Sequence, residues 1–361
     1  MAGVKIGIVT GGGDCPGLNA VIRAVAKAAT KRGWETLGII GGYEGLLAPQ
    51  NFRVLDYKAL DGLLVRGGTI LGTANRGRFS AKVGHGETRQ LPGELMDETR
   101  QGMEQLGLAA LVCVGGDGTL AIAYQMHQHG IAVVGVPKTI DNDLAATTVT
   151  FGFDSAVACA TDALDRLHTT AESHNRVLVL EVMGRYAGWI ALYAGVSGGA
   201  DVILIPEIPF SYESICRAVA AREKLGKHFT LVIAAEGARA MGGDFVTSGA
   251  QEENREARLG GIGAVVAAEV ARRTGKETRV VVLGHLQRGG SPTTMDRTIC
   301  TLFGAKAVDL IAEGKFGQMA AHTGTSVESV PLAEAIGHLR TVPPKGGVID
   351  AARSLGISMG D

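Results

Sequence analysis

Charged side chains stand at five short turns in this chain of 361 residues, four of them beside glycine: Gly12-Gly13-Asp14, Gly116-Asp117-Gly118, Asp141-Asn142-Asp143, Gly184-Arg185 and Glu236-Gly237. An N-capping Asp at a strand-to-helix turn would account for any one acidic case alone. Five together, in acid and base, call for a ligand. Gly11-Gly12-Gly13 before a helix can cradle phosphate oxygens with backbone N–H groups at a positive dipole end. In Val114-Gly115-Gly116-Asp117-Gly118-Thr119 two glycines allow close phosphate approach, and the Asp117 carboxylate is a hard oxygen ligand suited to Mg²⁺. Pro137-Lys138-Thr139-Ile140-Asp141-Asn142-Asp143 adds a carboxylate able to take a proton from an attacking hydroxyl, with a second one nearby. Arg176, Arg185, Arg279, His285 and Arg288 recur at element ends. Basic groups there suit a phosphorylated acceptor, because arginine binds phosphate bidentately.

The elements that must position these residues follow from hydrophobic pattern. Apolar runs at Val4–Val9, Thr36–Ile40, Leu108–Val114, Ile131–Val136, Arg176–Val182, Val202–Ile205, Phe229–Ala235 and Arg279–Leu283 predict strands, several buried on both faces. Helical spacing predicts helices at Leu18–Lys31, Thr119–His129, Ser155–Ala171, Tyr212–Leu225, Ile262–Thr274 and Arg297–Glu313. Alternation of the two predicts an α/β chain of doubly wound parallel sheets, with ligands at the carboxyl ends of the strands. About nine strands are many for one sheet and comfortable for two. The seam is placed near Phe151, the polar stretch Lys82–Leu95 is read as a surface loop, and the tail after Gly317 carries little chemical signal.

Composition narrows the function. Lys and Arg number 35 against 36 Asp and Glu, a net charge of −1. That argues against a nucleic-acid partner held by a basic face. No apolar run approaches the ~18 residues of a membrane span, and Met1–Ile8 lacks a signal peptide's apolar core. Five scattered cysteines without a CxxC pair imply reduced thiols and a cytoplasmic location. The 53 glycines are about twice the usual share, and they gather at the ends of apolar runs instead of in linkers. A Walker A motif is absent. An NAD-dependent dehydrogenase on a similar fold is disfavoured, since Pro16 breaks the dinucleotide fingerprint and the acidic ribose partner is missing.

Gly115-Gly116-Asp117-Gly118 is similar to the short motif of NAD kinases and diacylglycerol kinases. The wider series is more specific. Gly12-Gly13-Asp14 with Pro16-Gly17-x-Asn19, Gly115–Thr119, Pro137–Asp143, Met183-Gly184-Arg185-Tyr186-Ala187-Gly188 and Gly284–Pro292 resembles, in order and spacing, the signatures of 6-phosphofructokinases from about Val4 to Ala307. The resemblance implies two Rossmann-like domains flanking an active cleft: a larger donor domain of residues 1–150 plus about 287–337, and a smaller fructose 6-phosphate domain of 151–286 plus the C-terminal tail. It further implies transfer of phosphate to O1 of fructose 6-phosphate with Mg²⁺, and a homodimer or homotetramer whose sites are shared between subunits.

Carried onto this chain, the resemblance makes Asp141 the base, with Asp143 and Arg185 beside it. Asp117 holds the metal. Gly13, Arg76, Gly116, Asp117, Gly118, Thr119 and Lys138 bind the donor. Thr139, Ile140, Asp141, Met183, Gly184, Arg185, Glu236, His285, Leu286, Gln287 and Arg288 bind the sugar phosphate, with Arg176 and Arg279 reaching it from a neighbouring subunit. Asn75 stands where many bacterial members carry a donor-site arginine, and Arg76 substitutes one residue late. The bacterial effector site is partly kept: Arg23 and Lys227 match it, whereas His168 and Phe229 each replace a basic residue. Gly118 is similar to the ATP-using branch and Lys138 to the pyrophosphate-using branch, so a mixed-substrate subgroup with ATP as donor is expected. A pyrophosphate-dependent enzyme is the alternative. An inactive regulatory paralogue should have lost Asp117, Asp141 or Arg185, and all three are present.

Overall fold

The computed structural model describes residues 3–74, 77–79, 82–84, 87–247 and 259–361. In chain order the first elements are β1 (Lys5–Thr10), α1 (Leu18–Lys31), β2 (Glu35–Ile39), β3 (Phe52–Val54), β4 (Lys82–Gly84), β5 (Glu87–Thr88), α2 (Gly93–Gln105), β6 (Ala110–Gly115), α3 (Asp117–Gln128) and β7 (Val133–Pro137). Next come α4 (Phe153–His174), β8 (Val177–Val182), α5 (Trp189–Ser197), β9 (Val202–Leu204), α6 (Tyr212–Lys224), β10 (Thr230–Ala235), α7 (Ile262–Thr274) and β11 (Thr278–Val282). The chain closes with α8 (Thr294–Ala312), β12 (Gln318–His322), β13 (Val327–Pro331), α9 (Leu332–Ile336) and α10 (Gly347–Ser354).

The continuously apolar runs are buried strands, as their pattern requires: β6, β8 and β10 are buried along their whole length. They form two main sheets. One has seven strands in the order β13-β12-β7-β6-β1-β2-β3, and the other four in the order β11-β8-β10-β9. In the larger sheet β12, β7, β6, β1 and β2 run parallel, with β13 and β3 antiparallel at the edges. All pairings in the smaller sheet are parallel. From β1 the chain goes to β2 on one side and then returns to β6 on the other. That reversal opens a crevice at the carboxyl ends of β1 and β6, where doubly wound sheets bind ligands.

One contiguous core joins the two halves, with Val136, Ile140 and Phe151 packed in the same cluster as Leu180, Val182 and Ile233. Helix α8 packs closely on α1. A Cβ on Gly304 would lie 2.6 Å from Ala24 Cβ and 3.0 Å from the Val25 nitrogen, so a side chain there would push the helices apart. The starts of α4 and α8 cap one another. Buried Asp296 accepts from the N–H groups of Gly152 and Ser155, each at 2.9 Å, and from the Ser155 hydroxyl at 2.6 Å. Burial pushes its carboxyl up to about 6.

Several expectations require correction. The stretch Lys82–Leu95 is not only a loop: β4 and β5 pair within it, and α2 begins at Gly93. Helix α3 starts at Asp117, two residues earlier than its apolar spacing predicts, because Gly116 in extended conformation is the cap. The tail after Gly317 supplies two strands to the larger sheet and two helices. No helix among the described residues is long and apolar enough to cross a membrane.

Candidate active site

Strands β1, β6 and β7 end side by side, and their turns converge on one cavity. Gly13, Gly116, Asp117, Gly118, Thr119, Lys138, Thr139, Asp141, Asp143, Arg185 and Arg288 all line it. After β1, backbone approach is the requirement. A Cβ on Gly13 would sit 2.7 Å from Arg288 Nη1, so the arginine could not lie over the turn as it does. Arg288 donates from there to the Asp14 carbonyl at 3.1 Å. After β6, Asp117 opens α3, and its carboxylate accepts from the Gly118 N–H at 2.8 Å. Thr119 is buried one residue further on, and the Tyr43 hydroxyl donates to its carbonyl at 2.9 Å.

The turn after β7 carries the paired acids. Asp141 and Asp143 are both buried. The Asp141 N–H donates to the Thr139 hydroxyl at 3.1 Å, while its buried Oδ1 finds no hydrogen-bond partner among the described residues. Burying a carboxylate oxygen unpaired is costly, so that atom is a candidate to receive a proton or a substrate hydroxyl. Asn142 between the acids adopts φ 53°, a left-handed conformation. Its side chain accepts from the Thr150 N–H at 3.0 Å.

A second cavity adjoins the first and shares Gly12, Gly13, Arg185 and Arg288 with it. The ends of β8, β10 and β11 form its far wall, bringing Met183, Glu236 and His285 together. Gly184 at φ 138° and Arg185 at φ 49° turn the chain sharply where the arginine enters both cavities. The Arg185 N–H donates to Glu236 Oε1 at 3.1 Å. Burial, and then the nearby charge of Asp141, push the Glu236 carboxyl up to about 7. Gln287 is fully buried on the 3₁₀ turn Gly284–Arg288 and accepts from the Met183 N–H at 2.8 Å. It supports the wall of the second cavity at Met183 from behind.

Not every sequence-predicted residue reaches these cavities. The Ile140 side chain is fully buried in the core, which leaves only its backbone for a ligand. Leu286 is 69% exposed and lies outside both linings. Arg176 and Arg279 also lie outside them, both ion-paired to Glu277 at 2.8 and 2.5 Å. Arg76 lies outside the described residues. At the expected effector position, His168 packs edge-on against Phe229 at 5.0 Å, and Arg222 lies over the same ring at 5.1 Å.

Other lining residues were missed. Glu181 is the one acid in the otherwise apolar run of β8, and it accepts from the N–H groups of Gly261 and Gly263 at 2.9 and 2.7 Å to cap α7. Gly260 and Gly261 line the cavity just before that helix. An isolated acid in a buried strand and a Gly-Gly pair at a helix start were legible signals. Phe79 and Ile122 in the first cavity carried none.

Glycine turns at a sheet's reversal point, one metal-competent carboxylate and a buried carboxylate pair suit transfer of a phosphoryl group from a bound phosphate donor to a hydroxyl. The chain belongs to the phosphofructokinase family, whose model matches residues 5–311. It is 54% identical over 357 residues to the ATP-dependent 6-phosphofructokinase of Chloroflexus aurantiacus, covering 99% of this chain and 98% of that one. It is 49% identical over 345 residues to the pyrophosphate–fructose 6-phosphate 1-phosphotransferase of Amycolatopsis methanolica, covering 95% and 97%. The structure of phosphofructokinase from Saccharomyces cerevisiae superposes with a TM-score of 0.79 at 29% identity, over 92% of this chain and 45% of that one.

Proposed function

We propose that this chain phosphorylates D-fructose 6-phosphate at O1 to give fructose 1,6-bisphosphate, with ATP as donor and Mg²⁺ present, the committed step of glycolysis. The observation that carries the reading is the buried Oδ1 of Asp141, without a hydrogen-bond partner among the described residues, in a cavity flanked by glycine turns and by Arg185. Asp141 takes the proton of the 1-hydroxyl as that oxygen attacks the γ-phosphorus of ATP and the bond to the β-phosphate oxygen breaks, ADP leaving, with Asp143 beside it. Arg185 and Lys138 neutralise charge on the transferring group. Glu236 and Met183 seat the sugar, and His285 and Arg288 hold its 6-phosphate.

Asp117 suits Mg²⁺, which keeps several waters and is usually held by one or two carboxylates together with substrate phosphates. Among the described residues no cluster of three or more His, Cys, Asp or Glu is placed to hold an ion alone. When bound, the metal would supply charge neutralisation on the donor phosphates.

The same reading divides the chain into a donor domain of residues 1–150 and about 287–337 and a sugar domain of 151–286 with the tail. It makes the enzyme a cytoplasmic homodimer or homotetramer in which Arg176 and Arg279 serve a neighbour's site. Gly118 with Lys138 supports membership of the mixed-substrate subgroup. Pyrophosphate as donor is the second reading, favoured by Lys138 and by the relative from Amycolatopsis methanolica. A coupled assay with fructose 6-phosphate and either ATP or pyrophosphate tests both. ATP should give the larger kcat/KM, a larger value with pyrophosphate reverses the donor, and no turnover with either removes the activity.

A further inference from the structure

The C-terminal segment that follows α9 crosses from the catalytic turn to the opposite half of the molecule, and Arg340 makes the crossing. Its guanidinium Nη1 donates to the Asn142 carbonyl at 3.1 Å, and its own N–H donates to the Asp143 carbonyl at 2.8 Å. Leu339 pairs with Leu144 in an antiparallel bridge alongside. On the other side the guanidinium lies over the Trp189 ring at 4.3 Å, and Trp189 Nε1 donates back to the Arg340 carbonyl at 2.9 Å. Two residues later the Val342 N–H donates to Glu207 at 2.8 Å, and the same carboxylate accepts from the Gly188 N–H at 3.0 Å. Gly188 and Trp189 directly follow the turn that carries Arg185.

We infer that Arg340 is a positioning residue for phosphoryl transfer, fixing the turn that carries Asp141 and Asp143 and setting its place relative to the Arg185 turn. Arg340 lines neither cavity, so it acts through the backbone. Asn142 holds a left-handed φ, a conformation that persists only where its surroundings over-determine it. Thr150 restrains that residue through its side chain, and Arg340 restrains two successive carbonyls of the turn. Without the guanidinium, the Asn142 carbonyl loses this partner and the peptide is freer to rotate, swinging both acids. The stacking on Trp189 suits arginine: a planar guanidinium can lie on an aromatic face and donate at its edge at once. Burial lowers the pKa of Arg340 from the usual arginine value, in keeping with its enclosed place.

The inference rests on Asp141 as the base, so Asp141→Ser is assayed in parallel with Arg340→Met, Arg340→Lys and Arg340→Ala in the full-length enzyme. Methionine keeps the apolar contact with Trp189 and removes both charge and donor. Arg340→Met should lower kcat by about 10- to 100-fold, the scale of a misplaced catalytic group, with KM for the sugar phosphate changed less than about threefold. Arg340→Lys should recover part of the loss, and millimolar guanidinium should raise the kcat of Arg340→Ala but leave Asp141→Ser unchanged. Near-wild-type kcat in Arg340→Met beside an inactive Asp141→Ser would overturn the role and leave the base assignment intact. A loss that tracks only the folded fraction, or one that neither lysine nor guanidinium restores, would make Arg340 merely structural and equally overturn it. Full activity in Asp141→Ser would remove the reading on which both residues stand.

Discussion

Lys138 Nζ donates to the main-chain carbonyl of Gly13 at 2.5 Å, tying the turn after β7 to the turn after β1 across the end of β6. The lysine is buried, and that burial holds its pKa below the usual lysine range. An ammonium so placed serves two ends: it pins the glycine turn after β1, and it offers charge to the cavity that both residues line. Lys138→Met should therefore lower kcat with ATP by roughly 10²–10³, the scale of losing one oriented donor to developing charge. Steady-state kinetics of the purified variant check this, and an unchanged kcat would assign the lysine to structure alone.

Gly118 stands in the first turn of α3 beside Asp117 and faces the same cavity. Both donors carry a leaving phosphate beyond the transferred group; ATP continues from it into an α-phosphate and nucleoside, whereas pyrophosphate ends at it. A carboxylate at this position would crowd and repel that continuation, while Lys138 tolerates either donor. Gly118→Asp should reduce ATP-dependent kcat/KM at least about tenfold if the repulsion costs ~1.4 kcal/mol. Retention of full ATP efficiency would show that position 118 does not select the donor.

Asp141 presents a buried carboxylate oxygen without a hydrogen-bond partner among the described residues. Asp141→Ser should lower kcat by roughly 10²–10⁴ with little change in sugar affinity, the range for loss of a general base. Binding measured by calorimetry alongside turnover separates the two effects.

Glu236 provides a pH test. Its carboxyl rises from 4.5 in the unfolded chain to about 7 in the fold, chiefly through burial. The folded state thus holds a proton on Glu236 that the unfolded state releases, and the contribution of this group to stability falls as pH rises from about 4.5 to 7. Glu236→Gln cannot release that proton. Its thermal midpoint relative to the parent should climb across that window and level off above it. A constant difference between the two proteins from pH 4.5 to 7 would contradict the raised value.

Arg176 and Arg279 share Glu277 outside both cavities, Arg279 being exposed. If they complete a neighbouring subunit's sugar-phosphate site, inactive Arg279→Ala and inactive Asp141→Ser subunits should restore part of the activity after dissociation and reassembly. Each hybrid could hold one site with both native groups. Hybrids that form by mass spectrometry yet stay inactive would argue against shared sites.

Which residues could do chemistry, and on which turns, was legible in the sequence because both signals are local. Buried parallel strands read as unbroken apolar runs, and β6, β8 and β10 lie within a residue or two of their expected bounds. Elements without a period were not legible. Helix α5 is apolar almost all round and shows no amphipathic stripe. Strand β3 is three exposed residues at a sheet edge, with no alternation between faces. The tail looked inert for a different reason: Arg340 gains its meaning only when the chain places it 198 residues away in sequence against Asn142. Strand order likewise belongs to the tertiary structure. Local pattern names β1 and β6 as strands, but only their packing together makes the crevice in which Gly13, Asp117 and Asp141 line one cavity. Periodicity records what each segment buries, while pairing between distant segments depends on crossovers and core contacts that no local window contains.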